Sequence, residues 1–193
     1  MQKTILKNII QKVAICLSAN TVNKKLSYNV VVLHASPNKN SHTEKLTKKY
    51  LSEHYPDSNI KDFDIFSVSV KPCNDCKYCH THNNCCIDDG FESIASEIDK
   101  SDVIIISTPV YFLGFPAPMK AFIDRTQQLF VRRILKKNEK LIYNKAGILI
   151  ASCGGEDISA IESLKAPAEM FFSVFGAKFK ETVYLTDTDK TSL

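Results

Sequence analysis

Runs of β-branched residues alternate with stretches of helical periodicity along most of this chain. Tyr28-Asn-Val-Val-Val-Leu33-His34 is apolar without strict alternation, the pattern of a strand buried on both faces of a parallel sheet. Residues 59–65 predict a second strand, Val103–Ser107 a third, Ala146–Ala151 a fourth and Lys178–Leu185 a fifth. Between them, Leu46, Tyr50 and Leu51 share one helical face, as do Phe91, Ile94, Ala95 and Ile98. Pro116 and Pro118 suit a helix's first turn, and Met119, Phe122, Ile123, Thr126 and Phe130 predict that the helix lasts to about Leu135. Residues 156–175 are helical in period, with Pro167 expected to kink or divide them. Lys136–Lys140 reads as a solvated charged turn and Asp187–Leu193 as a frayed polar tail. Strands alternating with helices predict one doubly wound α/β sandwich over residues 28–193, with helices on both faces of a five-stranded parallel sheet.

Three loops at strand C-termini stand out: 35–43, 108–115 and 152–156. The first is polar and ends in Ser41-His-Thr-Glu44, which matches the capping box S-x-x-E. A strand, a polar loop and a capped helix aim free N–H groups and the positive end of a helix dipole at one point, which suits a phosphate. An ordinary βα turn that uses its hydroxyls only for capping is the competing reading. The second loop holds Tyr111, Phe112 and Phe115, one of which is expected only to pack on the core. With strand order 2-1-3-4-5, these two loops flank the switch point of the sheet, where such folds bind ligands. A phosphate loop beside an aromatic loop implies a flat phosphorylated ligand, and FMN fits that description.

Composition narrows the picture further. A hydrophobic content of 44% and a charged content of 24% are ordinary for a globular domain. The net charge of +4 comes from residues 1–27, which carry five lysines and no acid; the rest holds 20 basic and 21 acidic residues. That balance gives no case for nucleic acid, and no apolar run reaches membrane-spanning length. Within residues 1–27, Ile5, Leu6, Ile9, Ile10, Val13, Cys16 and Leu17 follow helical spacing. They predict an amphipathic arm that packs on the body or on a partner subunit, rather than a signal peptide.

Five of the seven cysteines fall within residues 73–86, spaced C-x2-C-x2-C-x5-C with Cys86 directly after the fourth. This density, in a domain large enough to need no staples, reads as metal or redox chemistry in a reducing, cytoplasmic compartment. Soft sulfur ligands select iron–sulfur clusters or zinc, and His80 and His82 extend the zinc option.

Ala35-Ser36-Pro37, Ser41-His-Thr43, the cysteine loop ending in Asp88-Asp89, Ser107-Thr-Pro109-Val-Tyr111-Phe112 and Met119–Arg125 together resemble the flavodoxin-like NAD(P)H-dependent FMN reductases, and most nearly their iron–sulfur flavoprotein branch. The resemblance covers residues 28–185. It implies that Ser36, Asn38, Ser41 and Thr43 hold the FMN phosphate. Pro109, Val110, Tyr111 and Phe112 then line the isoalloxazine, with Cys153, Gly154 and Gly155 on its other edge and Tyr111 orienting the ring. It also implies a [4Fe–4S] cluster on Cys73, Cys76, Cys79 and Cys85, with Cys86 as spare or rival; unmetallated thiols and zinc are the alternatives. Ala35 replaces the family's glycine and Asn38 its basic residue, which removes a charge-assisted phosphate contact.

The activity so implied is oxidoreduction, with hydride passing from NAD(P)H to the flavin and electrons leaving to a small-molecule or protein acceptor. With a cluster, ferredoxin becomes a candidate donor. No residue is assigned to acid–base catalysis, because the flavin carries the chemistry. A non-catalytic flavodoxin-like carrier and a zinc- or cluster-bearing redox sensor are the rival functions. A homodimer or homotetramer is expected, since flavin sites of this family lie near subunit interfaces.

Overall fold

The computed structural model describes residues 27–137 and 139–190. The predicted N-terminal arm, apart from its last residue, lies outside the described residues. Five strands, β1 (Asn29–His34), β2 (Asn59–Asp64), β3 (Val103–Pro109), β4 (Lys145–Ser152) and β5 (Ala177–Leu185), form one parallel sheet in the order β2-β1-β3-β4-β5. Both the strand set and the order agree with the sequence reading. The fold is the flavodoxin-like three-layer α/β sandwich.

Successive side chains point to opposite faces of each strand, and the two faces bury different helices. Val31, Leu33, Ile104, Ile106 and Leu149 face α2 (Phe91–Lys100), α3 (Ala117–Arg125) and α5 (Lys165–Val174). Phe91, Phe122, Phe171 and Phe172 fill that core at ring-centroid distances of 4.9 to 6.1 Å. Val30, Val32, Val103, Ile105, Ile148 and Ile150 face the other way, under Tyr50 and Leu51 of α1 (His42–His54). The apolar runs without alternation therefore mark strands covered on both sides. Gly147 of β4 lets this happen at close range, since a Cβ there would stand 2.4 Å from the Phe172 ring.

Four local expectations are revised. The helix expected to reach Leu135 ends at Arg125; Thr126 bonds its hydroxyl to the Ile123 carbonyl at 2.6 Å, and the chain resumes as Gln127–Leu129 and a π-helical segment, Phe130–Leu135. The break in residues 156–175 falls at 163–164, between α4 (Ser159–Glu162) and α5. Pro167 is the third residue of α5, where its missing N–H costs no helical bond. Glu139, in the stretch read as a solvated turn, pairs with Arg132 at 2.6 Å and Arg133 at 2.8 Å. The tail is not frayed as far as Lys190. Thr188–Lys190 forms a 3-10 turn, and the N–H groups of Asp187, Thr188 and Asp189 donate to the carbonyls of Gly155, Cys153 and Gly154.

Candidate functional site

Parallel neighbours present their C-terminal ends at one edge, so the loops after β1, β3 and β4 meet there. Hydrogen bonds tie them together. Ala35 N–H donates to the Ser107 carbonyl and Val110 N–H to the Ser152 carbonyl, both at 2.8 Å. Beneath them runs a buried hydroxyl ladder: Thr43 Oγ1 meets Ser152 Oγ at 2.5 Å, and Thr47 Oγ1 meets Ser107 Oγ at 2.8 Å. These pairs seat the start of α1 on β3 and β4.

The first loop forms as its capping box predicts. Ser41 is the N-cap and its hydroxyl accepts from Glu44 N–H at 3.2 Å. The Glu44 carboxylate reaches back to the N–H of Asn40, one residue earlier than in the standard box, at 2.5 Å. Asn40 holds φ of 71° to permit this. The Lys48 ammonium, then this N–H, hold the Glu44 carboxyl below its ordinary range. With Glu44 N–H occupied, the N–H groups of His42 and Thr43 are among those at the helix start without an intrahelical acceptor. Ser36 and Asn38 form a small turn, Asn38 N–H donating to Ser36 Oγ at 3.3 Å. Thr43 itself is buried and its hydroxyl belongs to Ser152. The Thr43 hydroxyl is thus engaged, and its main chain is what remains for a ligand.

The second loop closes as a two-residue turn. Tyr111 and Gly114 exchange both N–H···O bonds at 2.9 Å, and Phe112 and Leu113 between them have φ of 47° and 59°. Positive φ at both central positions marks a type I′ turn, a conformation that favours Asn-Gly and is strained for Phe-Leu. Phe112 is fully exposed, Leu113 largely so and Tyr111 about half, whereas Phe115 is buried in the core. Phe115 is therefore the aromatic that only packs. A strained turn that holds apolar side chains in solvent is costly unless a ligand or partner covers them.

The third loop is less open than expected. Cys153 is buried, which pushes its thiol up, and its Sγ donates to the Gly155 carbonyl at 3.3 Å. A Cβ at Gly154 would stand 2.3 Å from the Asp189 carboxylate, so this glycine answers to the C-terminal turn. Gly155 alone is open on its free side. The loops that carry Ser36, Asn38, Ser41, Pro109, Val110, Tyr111, Phe112 and Gly155 leave the sheet at one edge, while Cys153 and Gly154 are engaged below.

The cysteine loop lies apart, between β2 and α2. Cys73, Cys76, Cys79 and Cys85 line a cavity of about 60 Å³ together with Arg125, Gln128 and His80. Asp75 and Lys77, with φ of 56° and 61°, fold the backbone sharply on either side of Cys76. Cys86 is not a lining residue; its Sγ is 3.3 Å from that of Cys76. The Tyr78 N–H, then the Cys86 thiol, pull the Cys76 thiol down, and burial pushes the Cys79 thiol up. His82 stacks on Tyr78 with ring centroids 3.7 Å apart and is committed there. Among the described residues, no three His, Cys, Asp or Glu side chains are gathered closely enough to hold a single metal ion.

What holds this loop is a set of cations that the sequence reading did not single out. Arg125, fully buried, donates to the carbonyls of Lys71 and Ile87, both at 3.1 Å, and to the Asp89 carboxylate at 2.6 Å. It thereby ties the two ends of the loop to α3. Arg132 donates to the Asn83 carbonyl at 2.6 Å and Lys136 to that of Cys79 at 3.4 Å. The signal available in the sequence was the basic run itself, which reads as solvated because carbonyl partners leave no mark on it.

A second cavity, of about 660 Å³, opens beside the first loop, where Ser36, Asn38 and Lys39 form one wall, and extends along α1 and β2.

Comparison with known proteins agrees with this geometry. The family model for NADPH-dependent FMN reductase matches residues 28–185. An iron–sulfur flavoprotein of Methanosarcina thermophila is 33% identical over 91 residues, 47% of this chain and 44% of that protein. An FMN-dependent NADH:quinone oxidoreductase of Pelagibacter ubique is 31% identical over 96 residues, 48% of this chain and 50% of that protein. The matched stretches thus span about half the length of these relatives. Among solved structures, the NAD(P)H:quinone oxidoreductase from Methanothermobacter marburgensis superposes with a TM-score of 0.63 at 16% identity, covering 83% of this chain and 84% of that one. At that identity it speaks for the fold alone.

Proposed function

This chain belongs to the NADPH-dependent FMN reductase family, and on that premise we propose that it is an FMN-dependent oxidoreductase taking electrons from NAD(P)H to a small-molecule acceptor such as a quinone. The observation that carries the reading is the edge where three tied loops set a capped helix start beside the strained, exposed Tyr111–Gly114 turn. When bound, FMN supplies hydride acceptance and electron release. The chain supplies binding and orientation. Ser36, Asn38 and Ser41, with the N–H of Thr43, receive the phosphate; Pro109, Val110, Tyr111 and Phe112 cover the ring and exclude water; Gly155 leaves room at its far edge. Because Asn38 carries no charge, the phosphate is held by dipoles and N–H groups, with Lys39 the adjacent cation.

The four cysteines support a bound [4Fe–4S] cluster, and with it ferredoxin as a further electron partner. Zinc, which holds four ligands at about 2.0–2.3 Å from one point, is the alternative occupant. A cluster spreads its four thiolates around a larger body. The unpaired buried Arg125 Nε beside the sulfurs also suits an anionic group. Two measurements test the proposal. The protein should copurify with or take up FMN and oxidise NADH or NADPH when a quinone is supplied; FMN binding without turnover of either nicotinamide would favour a non-catalytic carrier. Anaerobic iron, sulfide and zinc analysis decides the metal, and equimolar zinc without sulfide would overturn the cluster.

A further inference from the structure

Gln128 sits in the short turn between α3 and the π-helical segment, 3% exposed, and neither its Nε2 nor its Oε1 has a hydrogen-bond partner among the described residues. Arg125, one helical turn earlier, spends both terminal nitrogens on the loop ends and Asp89 but leaves its Nε unpaired. Both side chains line the cavity whose remaining wall includes Cys73, Cys76, Cys79 and Cys85. Buried polar atoms are rarely left unmatched, and each such case calls for an unseen partner. Three unmatched atoms on two residues one helical turn apart, both lining the cavity that the four cysteines also line, point to one partner rather than to scattered defects. Two of the three groups are N–H donors, and the natural acceptor beside thiolates is the sulfur of an anionic thiolate-bound group.

We propose that Gln128, seconded by the Arg125 Nε–H, is a positioning residue for the group held by the four cysteines, donating its amide N–H to a sulfur of that group. The inference rests on the cluster reading above and deepens it. Hydrogen bonds to cluster sulfurs favour the more reduced, more negative state and so raise the reduction potential. The competing explanation is a water in the cavity, which is large enough to hold one.

Gln128→Met separates these, because it keeps the side-chain length and removes both polar atoms. The protein and its variant are reconstituted anaerobically with iron and sulfide, analysed for iron, sulfide and FMN, and titrated for cluster potential by electron paramagnetic resonance. A lower potential in the variant is the expected result, and lost iron at unchanged FMN content also supports the inference. Thermal melting of the iron-free proteins is the second arm: the variant should melt at the same temperature or higher, since it deletes two unmatched buried atoms. Full iron with an unchanged potential overturns the inference and leaves the cluster standing, with water serving Gln128. A lower melting temperature of the iron-free variant also overturns it, because the amide would then be held by the fold. Wild-type protein that takes up no iron and sulfide overturns the cluster reading itself, and this inference with it.

Discussion

Replacing Phe112-Leu113 by Asn-Gly tests whether the aromatic loop is strained for the sake of a ligand. Both residues hold positive φ, 47° and 59°, in a turn closed at both ends by 2.9 Å bonds between Tyr111 and Gly114. The left-handed conformation costs a side-chain-bearing residue about 1–2 kcal/mol. Asn-Gly is the preferred pair for this turn, so the double variant recovers most of one such cost and all of the other, about 2 kcal/mol together. Little is lost in return, because Phe112 is fully exposed and Leu113 is 63% exposed. For a chain of this length 1 kcal/mol moves the melting temperature by about 2–4 °C, so a rise of about 4–8 °C is expected in the FMN-free protein. Flavin affinity should move the other way. An aromatic contact contributes about 0.5–1.5 kcal/mol beyond buried area, so the FMN dissociation constant should rise by roughly twofold to tenfold. Circular dichroism melting and quenching of flavin fluorescence read the two effects separately. A lower melting temperature would refute the strain argument, and an unchanged FMN affinity would remove the turn from the site.

Four further outcomes follow from the geometry. Asp89→Ala strands the buried Arg125 charge and should cost about 3–5 kcal/mol by denaturant titration. Burial opposes ionisation of Asp89, yet the Lys71 N–H, the Arg125 guanidinium and the Phe91 N–H prevail and hold its carboxyl below the usual range. Its stabilisation is therefore complete above about pH 4, the unfolded carboxyl value, and fades as pH falls through the lowered folded value; Asp89→Asn should flatten that part of the stability–pH curve. Thr47→Val leaves Ser107 Oγ without its 2.8 Å partner and should cost about 1–3 kcal/mol in the same titration, with helix content by circular dichroism unchanged. Anaerobically reconstituted Cys79→Ser should lose iron while Cys86→Ser keeps it, since Cys79 lines the cavity and Cys86 does not; equal loss in both would assign Cys86 as a ligand.

The strands were legible because burial on both faces writes a continuous apolar run, and Val30–Leu33 and Val103–Ile106 are such runs. Ser41 and Glu44 announced the helix start because capping is local in sequence. What escaped was long-range and polar. Arg125 bridges 54 residues to Lys71 and 38 to Ile87 through carbonyls, which every residue carries and none advertises. Gln128 looked like any helical glutamine until its burial left both ends unmatched. The Thr188–Lys190 turn escaped for the same reason, since a short polar tail gives no hint that three of its N–H groups find carbonyls of the 153–155 loop. Gly154, expected at the flavin's edge, also makes room for Asp189, which no local pattern signals.

The proposed route takes electrons from a nicotinamide into FMN bound at the β1, β3 and β4 loops. Anaerobic mixing of the FMN-loaded protein with NADH and, separately, NADPH tests it in a single turnover. At least one of them should bleach the flavin's visible absorption, and a quinone added afterwards should restore it. Tightly bound FMN that neither nicotinamide bleaches would contradict it.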